Sequence, residues 1–183
     1  CWLRSTLQEV GGYDDSGLQW AAEDQELNLR LRESGGIVVL DPGIRSWYFP
    51  RSTVRGLARQ YRNYGLAKAS TLRKHGRFPS WRPVAPAVLV ALTVAGLCSR
   101  RPATRIAVPA VHAAACATAA WRLSDDPGVA PHRAFAALEI CHWSYGAGLW
   151  AGLVRIARGR TFDQLPRRGR ERGDARRAQV GRG

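Results

Sequence analysis

Methionine is absent from this chain, lysine occurs only at Lys68 and Lys74, and the four cysteines show no CxxC spacing. The first absence, in a chain that opens at Cys1, reads as a fragment of a longer translation product. The last excludes a zinc ribbon, a thioredoxin-type redox pair and a small disulfide scaffold. Cys98, Cys116 and Cys141 lie in apolar stretches, where a free thiol behaves as a small hydrophobe, so no metal ligand is expected among them. A Gly-rich phosphate loop of the GxxxxGKS type is also missing, which excludes a P-loop nucleotide site. No basic n-region leading into an apolar run and a small-residue cleavage site opens the chain, so no secretory signal is visible.

What is present is arginine. Lys and Arg together number 28 against 14 Asp and Glu, a formal net charge of +14, and this balance implies an anionic partner. An apolar share of 45% is too high for a wholly disordered segment, and 183 residues suffice for about one domain. A nucleic-acid-binding module would need a folded basic face and one of the known signatures. Here the charges bracket apolar stretches instead, so anionic membrane lipids are the expected partner and nucleic acid is not.

Composition divides the chain into four parts. Residues 1–50 hold most of the acidic residues and read as soluble α/β material. Leu27 and Leu31, four apart, and Glu26 four before Arg30 predict a helix from Asp24 to Ser34 that Gly35-Gly36 stops. Ile37 to Leu40 then predicts a short buried strand, ended by Asp41-Pro42-Gly43. Residues 51–82 are basic, lack Asp and Glu, and carry Tyr61, Tyr64, Phe78 and Trp81 between the charges. That pattern suits a cationic amphipathic helix on an anionic membrane, or a solvated helix packed on its neighbour. Residues 83–156 contain three apolar stretches, which predict two to three membrane spans, with buried helices of a soluble domain as the alternative. Within the third, Glu139, His142 and Tyr145 share one helix face, either as a functional polar pair or as groups that satisfy each other by hydrogen bonding. Residues 157–183 form an Arg- and Gly-rich tail expected to be disordered.

The strongest local signal is Gly11-Gly12-Tyr13-Asp14-Asp15, followed after seven residues by Glu23-Asp24-Gln25-Glu26-Leu27-Asn28-Leu29-Arg30-Leu31. Adjacent carboxylates at a helix mouth sit in the positive end of the helix dipole, which stabilises the ionised form needed to accept a proton. Taken alone, such a cluster is usually ordinary capping and dipole chemistry rather than catalysis. A glycine pair lets backbone approach a substrate closely.

These two motifs, in this order and followed by PRSTVRGLARQYRNYGLAKASTLRKHG, resemble the C-terminal half of an inverting family 2 glycosyltransferase of the membrane-bound exopolysaccharide, succinoglycan-biosynthesis kind. The resemblance implies an α/β fold class, with residues 1–50 forming the C-terminal part of a GT-A catalytic domain, followed by a mostly α-helical membrane region. It implies Asp24 as general base, Glu23 as its positioning neighbour, and Gly11, Gly12, Gln60 and Tyr64 on the acceptor side. Gln60 and Tyr64 match a QxxRW-type motif in which Asn63 replaces the arginine, so addition of a single sugar is expected over processive polymerisation. Arg51, Arg55, Arg59 and Arg62 are expected at the membrane interface. No DxD occurs in residues 1–50, so the nucleotide-sugar donor and a divalent Mg or Mn ion are expected to be held by an N-terminal half outside this chain. The implied acceptor is lipid-linked or a glycan, and the implied place is a bacterial cell membrane, multi-pass, with the catalytic part cytoplasmic. A non-catalytic basic membrane protein is the rival reading.

Overall fold

A computed structural model of the chain describes residues 2–14, 23–48, 51–78, 80–126, 128–160 and 162. The described residues form α1 (Arg4–Glu9), α2 (Glu23–Glu33), α3 (Val54–His75), a 3-10 turn (Arg82–Val84), α4 (Ala85–Leu97), α5 (Pro102–Leu123) and α6 (Pro131–Ala157).

Each boundary has a local cause. In α2, Leu27 and Leu31 are buried on one face, and the helix stops where Gly35 takes φ 89° and the Gly36 N–H reaches back to the Leu31 carbonyl at 2.8 Å. Thr53 caps α3 by accepting from the Gly56 N–H at 3.1 Å, and Gly76, at φ 67°, ends it. Arg73, Lys74 and His75 occupy the last turn of α3, where cations meet the negative end of the dipole. Pro102 and Pro131 open α5 and α6, at positions where a missing N–H costs nothing.

The core is the seam between α3 and α6. Leu66 and Ala69 of α3 and Leu149 of α6 are buried in one cluster with Ala87 of α4 and Phe162, and Phe78, Tyr145 and Ile156 pack against it. Glycine sets the spacing. A Cβ on Gly148 would overlap the Arg62 carbonyl, one on Gly65 would overlap the Tyr145 carbonyl, and one on Gly152 would strike the Ala69 methyl. The two backbones therefore touch over about two turns, running in the same sense, and Arg73 reaches the Arg160 carbonyl farther along. On the other side of α6, Gly146 lies against the Pro86 carbonyl, and Trp150 donates to the Ala87 carbonyl at 2.8 Å, which binds α4. The α4–α5 and α5–α6 turns fold the remaining helices into consecutive hairpins.

The α/β expectation, with residues 1–50 as part of a GT-A domain, is overturned: the described residues contain no strand. Ile37–Leu40 takes up no regular secondary structure and stands in the open, with Ile37 88% and Leu40 92% exposed. A strand exists through ladder hydrogen bonds to a neighbour, and the described residues supply none beside it. The expectation of several membrane spans meets a single helix, among the described residues, that is long and apolar enough to cross: α5, at 22 residues. Its length is about 33 Å at 1.5 Å per residue, enough for a hydrocarbon core of about 30 Å. Arg82–Leu97 is apolar but too short. The expected tail lies outside the described residues from 163 onward, as does Asp15.

Candidate functional site

Glu26, not Asp24, is the most heavily engaged carboxylate of the acidic run at the start of α2. Its side chain is 1% exposed and accepts from Arg30 Nε at 2.9 Å and Nη2 at 2.8 Å, from Lys74 Nζ at 2.7 Å, and meets His75 Nε2 at 3.1 Å. Burial alone would raise its pKa, but the hydrogen bonds from Arg30, Lys74 and His75 outweigh it and hold the carboxyl below its ordinary value. Arg30 donates in turn to the carbonyls of Val10 and, at 2.6 Å, Gly12. Lys74 also pairs with Asp14 at 2.6 Å. Burial pulls the Lys74 ammonium down, and its two carboxylate partners more than compensate, raising its pKa. One buried charge thus joins the turn after α1, helix α2 and the end of α3.

Around this hub stand the residues expected at the catalytic centre. Gly11 and Gly12 take φ 78° and 69°, left-handed values that favour glycine, and Gly12 presents its carbonyl to Arg30. Glu23 is half-buried and Asp24 exposed in the first turn of α2, where Asp24 Oδ1 accepts from the Gln25 N–H at 2.8 Å. Gln25 accepts from Lys68 at 3.3 Å, and burial holds the Lys68 ammonium below its ordinary pKa. Arg77 pairs with Glu33 at 2.6 Å. The links from α2 to α3 therefore run to Lys68, Lys74 and His75 in the second half of α3.

Gln60 and Tyr64 lie in the first half. Gln60 Nε2 donates to Tyr64 Oη at 2.8 Å and to Tyr48 Oη at 3.3 Å, and Tyr61 meets Tyr64 edge-on with ring centroids 5.7 Å apart. The pair lies on a different stretch of α3 from Lys68, Lys74 and His75, which join that helix to α2, the helix that carries Asp24. Arg51, Arg55, Arg59 and Arg62 are all exposed. The last three, with Ala58, line an open groove of about 510 Å³ whose far wall is Trp143, Ser144 and Ala147 of α6. Three guanidinium groups beside an indole face suit a phosphate or another anion with an apolar attachment.

Sequence reasoning singled out Glu139 and His142 on one helix face but missed the two residues that meet them. His112 and Cys116, on α5, face Glu139 and His142, on α6. Cys116 Sγ lies 3.5 Å from His112 Nε2 and 3.8 Å from His142 Nδ1, and His112 Nε2 lies 3.5 Å from Glu139 Oε1. The available signal was the i, i+4 spacing of His112 and Cys116 and the i, i+3 spacing of Glu139 and His142, each placing two donors on one helix face.

No family model matches the chain, and no solved structure matches it. Over 154 residues, 83% of its length, it is 30% identical to the succinoglycan biosynthesis protein ExoA of Rhizobium meliloti (strain 1021). The chain spans 46% of that protein's length.

Proposed function

We propose that this chain is the C-terminal part of a membrane-associated, inverting glycosyltransferase in exopolysaccharide synthesis, moving one sugar from a nucleotide-sugar donor to a lipid-linked or glycan acceptor. The observation that carries the reading is the likeness to a succinoglycan biosynthesis protein along 83% of the chain. The ordered GGYDD and EDQEL motifs add to it, and the Glu26 hub supports it by holding the two motifs against each other through Arg30.

In this reading Asp24 takes the proton of the acceptor hydroxyl as its oxygen bonds to the anomeric carbon, while the bond from that carbon to the nucleotide diphosphate breaks on the opposite face. Glu23 positions the loop. Gly11, Gly12, Gln60 and Tyr64 serve the acceptor, and the exposed Arg51, Arg55, Arg59 and Arg62 meet anionic head groups at the membrane surface. No step is assigned to Mg or Mn here. Among the described residues the group able to hold a metal is His112, Cys116 and His142, nitrogen and sulfur donors that do not fit a hard, oxygen-seeking cation.

The test is sugar transfer from labelled nucleotide sugars in membranes containing the full-length protein. Asp24→Asn is expected to lower transfer roughly 100-fold or more at unchanged protein abundance, the scale of a lost general base. Unchanged transfer removes Asp24 as the base and favours the non-catalytic alternative.

A further inference from the structure

We propose that His112, Cys116, His142 and Glu139 form a zinc site that clasps α5 to α6. The argument begins with distances. Hydrogen bonds between nitrogen and oxygen are about 2.7–3.2 Å long, and the 3.5 Å from His112 Nε2 to Glu139 Oε1 exceeds that. With Zn–S near 2.3 Å and Zn–N near 2.0 Å, a tetrahedral ion sets its sulfur and nitrogen ligands roughly 3.6 Å apart. Cys116 Sγ stands 3.5 and 3.8 Å from the two ring nitrogens, and the ligand atoms of His112, Cys116 and His142 all fall within 4.8 Å of one another.

Hydrogen bonding alone leaves this group incomplete. Glu139 Oε1 is buried with no hydrogen bond. The other carboxylate oxygen, Oε2, accepts from Trp143 Nε1 at 2.7 Å, the kind of outer contact that aims a ligand. The rings are also held edge to face, His112 against His142 at 5.2 Å and against Trp143 at 5.8 Å. A thiolate, two imidazoles and a carboxylate make a donor set suited to a borderline-soft divalent ion rather than Mg or Ca. The position gives the ion a task. Only Cys116 and Ala120 are buried on α5, so apolar packing holds this helix weakly, and a bound ion would supply the missing tie. Binding displaces the Cys116 thiol proton to solvent and leaves the metal oxidation state unchanged.

The full-length protein, purified in detergent, stripped with chelator and reloaded with zinc or cobalt(II), provides the test. One ion per chain is expected, with one sulfur and three nitrogen or oxygen neighbours by X-ray absorption, and a thiolate-to-cobalt charge-transfer band. Thermal unfolding of the helices should shift upward on loading and return on chelation. The band should survive Cys98→Ser and Cys141→Ser and vanish in Cys116→Ser. Glu139→Gln, which preserves volume, should weaken zinc binding about 10–100-fold whatever the folding of the cysteine variant. Failure of the wild-type protein to retain zinc, a shell without sulfur, or a band that survives Cys116→Ser overturns the site.

Discussion

Glu26 shows how much one carboxylate can hold. It is 1% exposed and contacts Arg30, Lys74 and His75, so Glu26→Gln leaves two cations and an imidazole facing a group without charge. Breaking a buried pair from one side costs roughly 3 kcal/mol or more, and that loss is expected in chemical denaturation of the detergent-solubilised protein. The pH dependence follows from the directions of the shifts. The Glu26 pKa is lowered below its ordinary 4.5 in the folded state, so its contribution is complete above 4.5 and is lost as pH falls through the lower folded value. Lys74 is raised above 10.5, so its contribution is complete below 10.5 and is lost as pH rises through the higher folded value. Melting temperature should therefore fall at the acid limit on account of Glu26 and at the alkaline limit on account of Lys74, and Glu26→Gln should flatten the acid limb. An acid limb identical in the two proteins places the titrating group elsewhere. The Glu26–Arg30 spacing was visible in the sequence, whereas Lys74 and His75 lie 48 and 49 residues away and join only through the docking of α2 on α3.

At the scale of elements, Gly146 and Gly148 let α6 pack closely on its neighbours. Gly148 of α6 sits against the Arg62 carbonyl of α3, backbone on backbone, with no flexible side chain to give way. Gly148→Leu is expected to cost about 2–3 kcal/mol by forcing the helices apart, read as a lowered unfolding midpoint. Ala136→Leu, on an exposed position of the same helix, should stay within about 0.5 kcal/mol. Equal effects from both would show that the seam is loose. The difference between helix and strand also explains what could be read in advance. The α2 helix and its Gly35-Gly36 stop were legible because a helix makes its hydrogen bonds within itself. Ile37–Leu40 has the composition of a strand, but strand formation depends on a partner that local sequence does not specify. The His112–Cys116 and Glu139–His142 pairs were each legible as helix faces. Their meeting depends on the register of the α5–α6 hairpin, which composition does not encode.

For the whole molecule the deciding contrast is between charge and α5. Arginines flank the apolar helices at Arg100, Arg101 and Arg122, while the helix between them exposes Ile106, Val111 and Trp121, with Val111 71% exposed. A soluble protein would bury such a face, and only 11% of the apolar window of α5 is covered by the rest of the chain. In the membrane-associated reading proposed above, lipid covers it. Val111 lies near the middle of the 22-residue helix, so Val111→Arg places a guanidinium at about the centre of the bilayer. That position costs about 2.5–3.5 kcal/mol on insertion scales, enough to move most of the protein out of the carbonate-resistant membrane fraction. Leu123→Arg, at the helix end, can extend its charge to the interface and should extract like the wild type. If Val111→Arg remains as firmly embedded as Leu123→Arg, α5 does not cross the membrane, and its exposed face must pack against protein instead.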